Sequence, residues 1–161
     1  MEWLFCHGSN NINQLMEILE KDEIEFASAY AKHWQRVFRG YSKFWRSGVS
    51  TIIKNKGAYV FGICVKVTRF DLSLLDFNED ANPDDCFDSK YGLRKREKVK
   101  VNLVLGDNNF KEVMAWAYIS NSKKFSRPSE KYLKEVVRTI NQGQWTMING
   151  KKVTVKDIPI R

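Results

Sequence analysis

At 161 residues, with 43% hydrophobic and 13% aromatic residues, the chain is sized for one packed core, which predicts a single domain over residues 1–161 and excludes a disordered chain. The formal charge is +8, from 27 Lys and Arg against 19 Asp and Glu. No basic leader precedes a long apolar stretch and no run of about 18 apolar residues occurs, so a soluble, cytoplasmic protein without a signal peptide or membrane segment is expected.

Much of the positive charge sits in Arg94, Lys95, Arg96, Lys98 and Lys100, with more at Lys123, Lys124, Lys151, Lys152 and Lys156. Such a balance suits nucleic acid, an anionic membrane or an acidic small molecule, but a solvated strand face with basic loops is the better account of it. Three cysteines, Cys6, Cys64 and Cys86, are odd in number and widely spaced, which fits neither a disulfide framework nor a zinc site and reads as reduced thiols. Cys6 beside His7 is a weak candidate nucleophile, because adjacent strand residues point to opposite faces.

Along the chain, residues 2–6 are short and apolar, Gly8, Ser9 and Asn10 interrupt, and Ile12, Leu15, Met16 and Leu19 follow at helical spacing. That order predicts strand, tight turn, helix, with the N–H groups of the turn and first helical residues aimed at one point suited to a carboxylate or phosphate. Ala27 to Phe38 is aromatic without clean alternation, and Trp34, Val37 and Phe38 are expected in the core. Val49–Ile53 and Tyr59–Val67 read as two strands of a hairpin turning at Asn55, Lys56 and Gly57. In the second, small Gly62 and Cys64 oppose a larger face, as where something packs closely.

Asp71 is the expected N-cap of a short leucine helix that stops near Asp76 and delivers Glu79 into an acidic surface loop reaching Ser89. Strands are then expected at Lys98–Leu105 and Glu112–Ile119, around a turn at Gly106–Asn109. Pro128 suits the first position of a last helix whose buried stripe is Tyr132, Leu133, Val136, Val137 and Ile140. Val153 and Val155 suggest an edge strand. The whole predicts an α+β fold, a mixed, mainly antiparallel sheet curled into a small barrel with a few peripheral helices.

Six fragments in this order resemble the γ-glutamyl cyclotransferase superfamily, AIG2-like proteins included, from about residue 3 to residue 141. The family's Tyr-Gly-Ser-Asn turn reads here His7, Gly8, Ser9, Asn10. An aromatic piece ends in Trp45 to Ile52, and a glycine-punctuated strand follows at Gly57 to Ile63. Its Asp-Leu-x-x-Leu-Asp-x-x-Glu-Gly element is matched at Asp71, Leu72, Leu75, Asp76 and Glu79. Ala115, Trp116, Ala117, Tyr118 and then Pro128, Ser129, Tyr132, Leu133 complete the series. Three positions depart from the pattern. His7 replaces tyrosine, Asp80 replaces glycine, and the tyrosine ahead of the fourth strand has no counterpart, Tyr91 lying early and Arg94 standing nearer that place.

The resemblance implies a reaction in which the α-amine of a γ-glutamyl group attacks its own γ-carbonyl, releasing 5-oxoproline and an amino acid or amine. It implies Glu79 as the residue that takes the ammonium proton and returns one to the leaving amine. The N–H groups of Gly8, Ser9 and Asn10 would hold the α-carboxylate or the developing oxyanion, His7 would wall the pocket, and the Tyr132 hydroxyl would meet the substrate or only pack. No cofactor and no metal are called for, since His7 and His33 lack a third ligand. The expected partner is a small γ-glutamyl substrate, whether a γ-glutamyl amino acid, a γ-glutamyl amine or glutathione. No nucleic acid or membrane is expected, and the protein would be a monomer or homodimer. The competing readings are a non-catalytic binding or interaction module on the same scaffold, marked by His7 and Asp80, and a nucleic-acid binder driven by the charge.

Overall fold

Small side chains let five strands close on themselves. In the computed structural model, which describes residues 1–79, 81, 94–143 and 151–161, strand β1 (Glu2–Cys6) leads through the Gly8–Asn10 turn into helix α1 (Ile12–Leu19). Strands β2 (Phe26–Ser42) and β3 (Ser47–Val67) follow as a long antiparallel pair, then helix α2 (Arg69–Asn78), strands β4 (Arg94–Gly106) and β5 (Asn109–Ser120), and helix α3 (Glu130–Asn141). The strands form a closed barrel in the order β1-β3-β2-β4-β5, antiparallel throughout except where β5 meets β1 in parallel at Leu4 and Trp116. This is the α+β barrel with peripheral helices that the sequence predicts.

One face of each strand fills the interior. Ala29 and Ala31 of β2 and Ala115 and Ala117 of β5 leave room for Phe5, and Val99, Val101 and Leu103 of β4 complete the packing. The small face of β3 serves the same purpose: a Cβ added to Gly62 would lie 2.2 Å from the carbonyl oxygen of Cys6, so β1 crosses there only over glycine. On the outside, Leu4, Cys6, Ile63, Val65 and Val67 are covered by Leu15 and Leu19 of α1 and Leu72 and Leu75 of α2. A third cluster joins Phe38 and Val49 to Tyr132, Leu133, Val136 and Ile140 of α3 and to Val153 and Ile158.

Several expectations are corrected. Residues 47–67 form one strand, not a hairpin: Tyr59 pairs with Lys32 and Lys54 with Trp34 on the same partner β2. The turn residues between them bulge outward, Gly57 at φ +89° opposite His33 at φ +66°, and the Gly57 N–H donates to His33 Nδ1 at 3.1 Å. The aromatic stretch from Ala27 is strand β2, with Val37 and Phe38 buried and Trp34 packed against the barrel interior. Helix α2 is capped by Thr68, whose hydroxyl accepts from the Asp71 N–H while the Asp71 carboxylate accepts from the Thr68 N–H. It runs to Asn78, with Glu79 as its C-cap.

Helix α3 is capped by Ser129, so Pro128 precedes the cap and Glu130 is the first helical residue. Val153 packs beneath α3, and Val155 opens a short 3-10 turn, not a strand. Asp80, Cys86, Tyr91 and the acidic stretch after Glu79, apart from Ala81, lie outside the described residues. The basic run on β4 is spent on carboxylates: Arg94 on Glu79, Lys95 on Glu97, Arg96 on Asp76, Lys98 on Glu2 and Lys100 on Glu112. No helix among the described residues is long and apolar enough to cross a membrane.

Candidate active site

Two segments far apart in the chain meet at one end of the barrel. The turn after β1 is fixed from several sides. Arg36 donates from Nε to the His7 carbonyl at 3.0 Å and from Nη2 to the Phe61 carbonyl at 2.7 Å. The His7 ring is buried, with Nδ1 3.0 Å from Ser50 Oγ and Nε2 2.9 Å from the Tyr118 carbonyl oxygen. A carbonyl only accepts, so Nε2 carries the proton and Nδ1 is left to accept from the serine hydroxyl. Burial holds the imidazole down to a pKa of about 4, so it is neutral at physiological pH.

Helix α1 begins at the end of this turn. Asn11 caps it, its side-chain oxygen accepting from the Gln14 N–H at 3.0 Å, and Gln142, the C-cap of α3, accepts the Ile12 N–H at 2.8 Å. The Ile12 and Gln14 amides are therefore occupied, which shifts the expected anion site toward the turn itself. Among the described residues no protein acceptor faces the N–H groups of Gly8, Ser9 or Asn10. Gly8 allows a close approach from the other side: a Cβ there would stand 3.0 Å from the Tyr132 hydroxyl. That hydroxyl accepts from the Ser50 N–H at 2.8 Å, and burial pushes its pKa up to about 12.

Opposite the turn stands Glu79. Its carboxylate accepts from Asn10 Nδ2 at 2.7 Å and lies 3.3 Å from Arg94 Nη1, with the side chain only 12% exposed. The helix that carries it is pinned one turn earlier. Asp76 is buried, receives Arg96 through two bonds at 2.8 and 3.0 Å, and accepts from the Tyr118 hydroxyl at 2.7 Å. Arg96 also stacks on Trp116, its Cζ 4.2 Å from the ring centre. Tyr118 thus holds α2 through its hydroxyl and the turn through its carbonyl.

Glu79, His7, Gly8, Ser9, Asn10 and Tyr132 all border one cavity of about 640 Å³, a volume that suits a small molecule. Phe44 and Trp45 from the β2–β3 connection line it as well, with Trp45 packed edge-on to Tyr132 at 5.7 Å. Sequence reasoning did not assign Arg94, Ser50 or Arg36 to the site. The only signal for Arg94 was its place where the family pattern has tyrosine. Cys6 packs in the cluster under α1 and α2, where burial raises its thiol pKa and disfavours the thiolate that a nucleophile needs.

A family model described as gamma-glutamyl cyclotransferase, AIG2-like, matches residues 4–147. The chain belongs to this family. No curated protein matches the sequence. Among solved structures, one titled "Gamma-glutamyl cyclotransferase" superposes with a TM-score of 0.77 at 21% identity, covering 99% of this chain and 89% of that one. A human protein titled uncharacterized protein loc79017 gives a TM-score of 0.76 at 22% identity, again with 99% and 89% coverage. A yeast structure, titled as a gamma glutamyl cyclotransferase specific to glutathione, gives 0.62 at 10% identity, covering 98% and 93%. At these identities the likeness is one of fold, and membership of the cyclotransferase family rests on the family model.

Proposed function

We propose that the protein is a γ-glutamyl cyclotransferase that releases 5-oxoproline from a γ-glutamyl amide, with Glu79 moving the protons. The observation that carries this reading is that Glu79 and the turn residues Gly8, Ser9 and Asn10, whose N–H groups have no acceptor among the described residues, border the same cavity.

In this reaction one C–N bond forms and one breaks within a single substrate. The α-ammonium gives a proton to Glu79, and the freed amine attacks the γ-carbonyl. The oxyanion collapses and the scissile C–N bond breaks as Glu79 returns that proton to the departing amine, while the ring nitrogen gives up its remaining excess proton to the released amine or to solvent. Because nucleophile and electrophile share one molecule, the cavity's main service is to hold a ring-closing geometry, an effect worth up to about 7–11 kcal/mol in well-oriented intramolecular reactions. Fixed N–H donors from the turn supply charge stabilisation for the α-carboxylate or the oxyanion without reorganising. Trp45 and Tyr132 supply an apolar wall.

The test is to incubate the protein with γ-glutamyl-alanine, glutathione and γ-glutamyl-lysine and to assay 5-oxoproline. Release from at least one of them, abolished by Glu79→Gln in a protein with an unchanged circular dichroism spectrum, is the expected result. Normal turnover by that variant would remove Glu79 from the mechanism. Binding without any release by the wild type would identify a non-catalytic module.

A further inference from the structure

We infer that Arg94 is the α-carboxylate anchor of the site, so that Glu79 and Arg94 together recognise the zwitterionic head of the substrate and the turn amides are left for the oxyanion. The inference rests on the cyclotransferase reading and divides between two groups a task that the sequence leaves open.

Arg94 differs from the other cations of β4 in how it is used. Arg96 closes both arms of its fork on Asp76 at 2.8 and 3.0 Å. Arg94 engages Glu79 through Nη1 alone, at 3.3 Å to the carboxylate and 3.2 Å to the backbone carbonyl. Among the described residues its Nε and Nη2 donors have no partner. A guanidinium carries five N–H donors, so a second acceptor can be gripped without releasing the first. The side chain borders the cavity and is 19% exposed. Its charge is felt inside, acting on both His7 and Tyr132.

The pairing of signs is the telling feature. An α-amino acid carries ammonium and carboxylate on one carbon, so a site that grips both needs an acid and a base side by side. Glu79 and Arg94 are such a pair within one cavity, and the ammonium that Glu79 must deprotonate brings its own carboxylate against the guanidinium. With the carboxylate held there, Gly8, Ser9 and Asn10 face the γ-carbonyl at the other end of the folded substrate. The substrate class is then a γ-linked amide with a free α-carboxylate.

The experiment compares γ-glutamyl-alanine with its analogue whose glutamyl α-carboxylate is converted to the carboxamide, on wild type, Arg94→Gln and Arg94→Lys. Loss of one partner from a hydrogen-bonded charge pair sets the scale, so the wild type should prefer the carboxylate substrate by about 10²-fold or more in kcat/KM. In Arg94→Gln the preference should fall below about 3-fold, with most of the change in KM. Arg94→Lys, which keeps the charge but not the fork, should fall between and serves where the glutamine variant does not fold. A wild type indifferent to the α-carboxylate, or an Arg94→Gln that keeps the wild-type preference, overturns the proposal.

Calorimetric binding of 5-oxoproline and of its carboxamide separates this proposal from the reaction itself. Arg94-dependent binding of the acid without turnover would sink the cyclotransferase reading and leave the carboxylate site standing. Turnover with no dependence of either measurement on Arg94 would do the reverse, and absence of both binding and turnover would overturn both.

Discussion

The Asn10 amide donates to the Glu79 carboxylate at 2.7 Å, a bond that spans 69 residues of sequence and joins the turn after β1 to the end of α2. This contact aims one carboxylate oxygen and leaves the other to Arg94. Replacing Asn10 with alanine should lower kcat about tenfold while moving the melting temperature little, since the bond is one charge-assisted contact at the rim of a cavity. Unchanged kcat in steady-state assays would show that Glu79 needs no such guide.

The buried His7 makes stability depend on pH. Its folded pKa of about 4 lies below the ordinary 6.5, so its neutral form is favoured by folding. The contribution is complete above about pH 6.5, where both states are neutral. It is lost as the pH falls toward 4, because the unfolded chain takes up a proton that the folded one refuses, a loss of about 3 kcal/mol over that window. Urea midpoints measured at pH 7 and pH 5 should therefore separate in the wild type and draw together in His7→Gln.

Asp76 is the more dangerous residue to touch. Removing it strands the Arg96 guanidinium and the Tyr118 hydroxyl in a buried setting, at a cost of about 3–5 kcal/mol. Thermal denaturation of Asp76→Ala should show the lowest melting temperature of the variants named here. Activity at a temperature where it remains folded should also fall, because α2 carries Glu79.

Tyr132→Phe takes away the acceptor of the Ser50 N–H but keeps the ring that packs on Phe38 and Trp45. An unsatisfied buried N–H costs about 1–3 kcal/mol, so chemical denaturation should register a loss in that range. If the hydroxyl also meets substrate, kcat/KM will fall beyond what the Ser50→Ala variant loses, since that change leaves the Tyr132 contact in place.

The elements most legible in the sequence were those whose partner lies next to them in the chain. The order of β1, turn and α1, the stripe of α3 and the close packing at Gly62 all follow from local spacing and side-chain size. Asn55, Lys56 and Gly57 misled because turn chemistry is shared by hairpins and bulges, and only the continuous partner β2 decides between them. Asp71 misled because a capping box has two polar members, and Thr68 is the one at the cap. In the site, the segments bearing Glu79 and the glycine turn were marked by family pattern. Arg94, Ser50 and Arg36 come from strands that the barrel brings around, a proximity that no local spacing encodes.

The parallel contact between Leu4 and Trp116 has a consequence for how the protein is made. The first strand finds its last neighbour only after more than a hundred further residues have been synthesised, so a nascent chain must carry open strand edges until β5 emerges. Loop closure over such separations is slow, which places folding toward the millisecond-to-second range of barrel topologies. The cavity that holds Glu79 sits against this last closure, so restoration of activity after dilution from denaturant should keep time with the completion of the barrel.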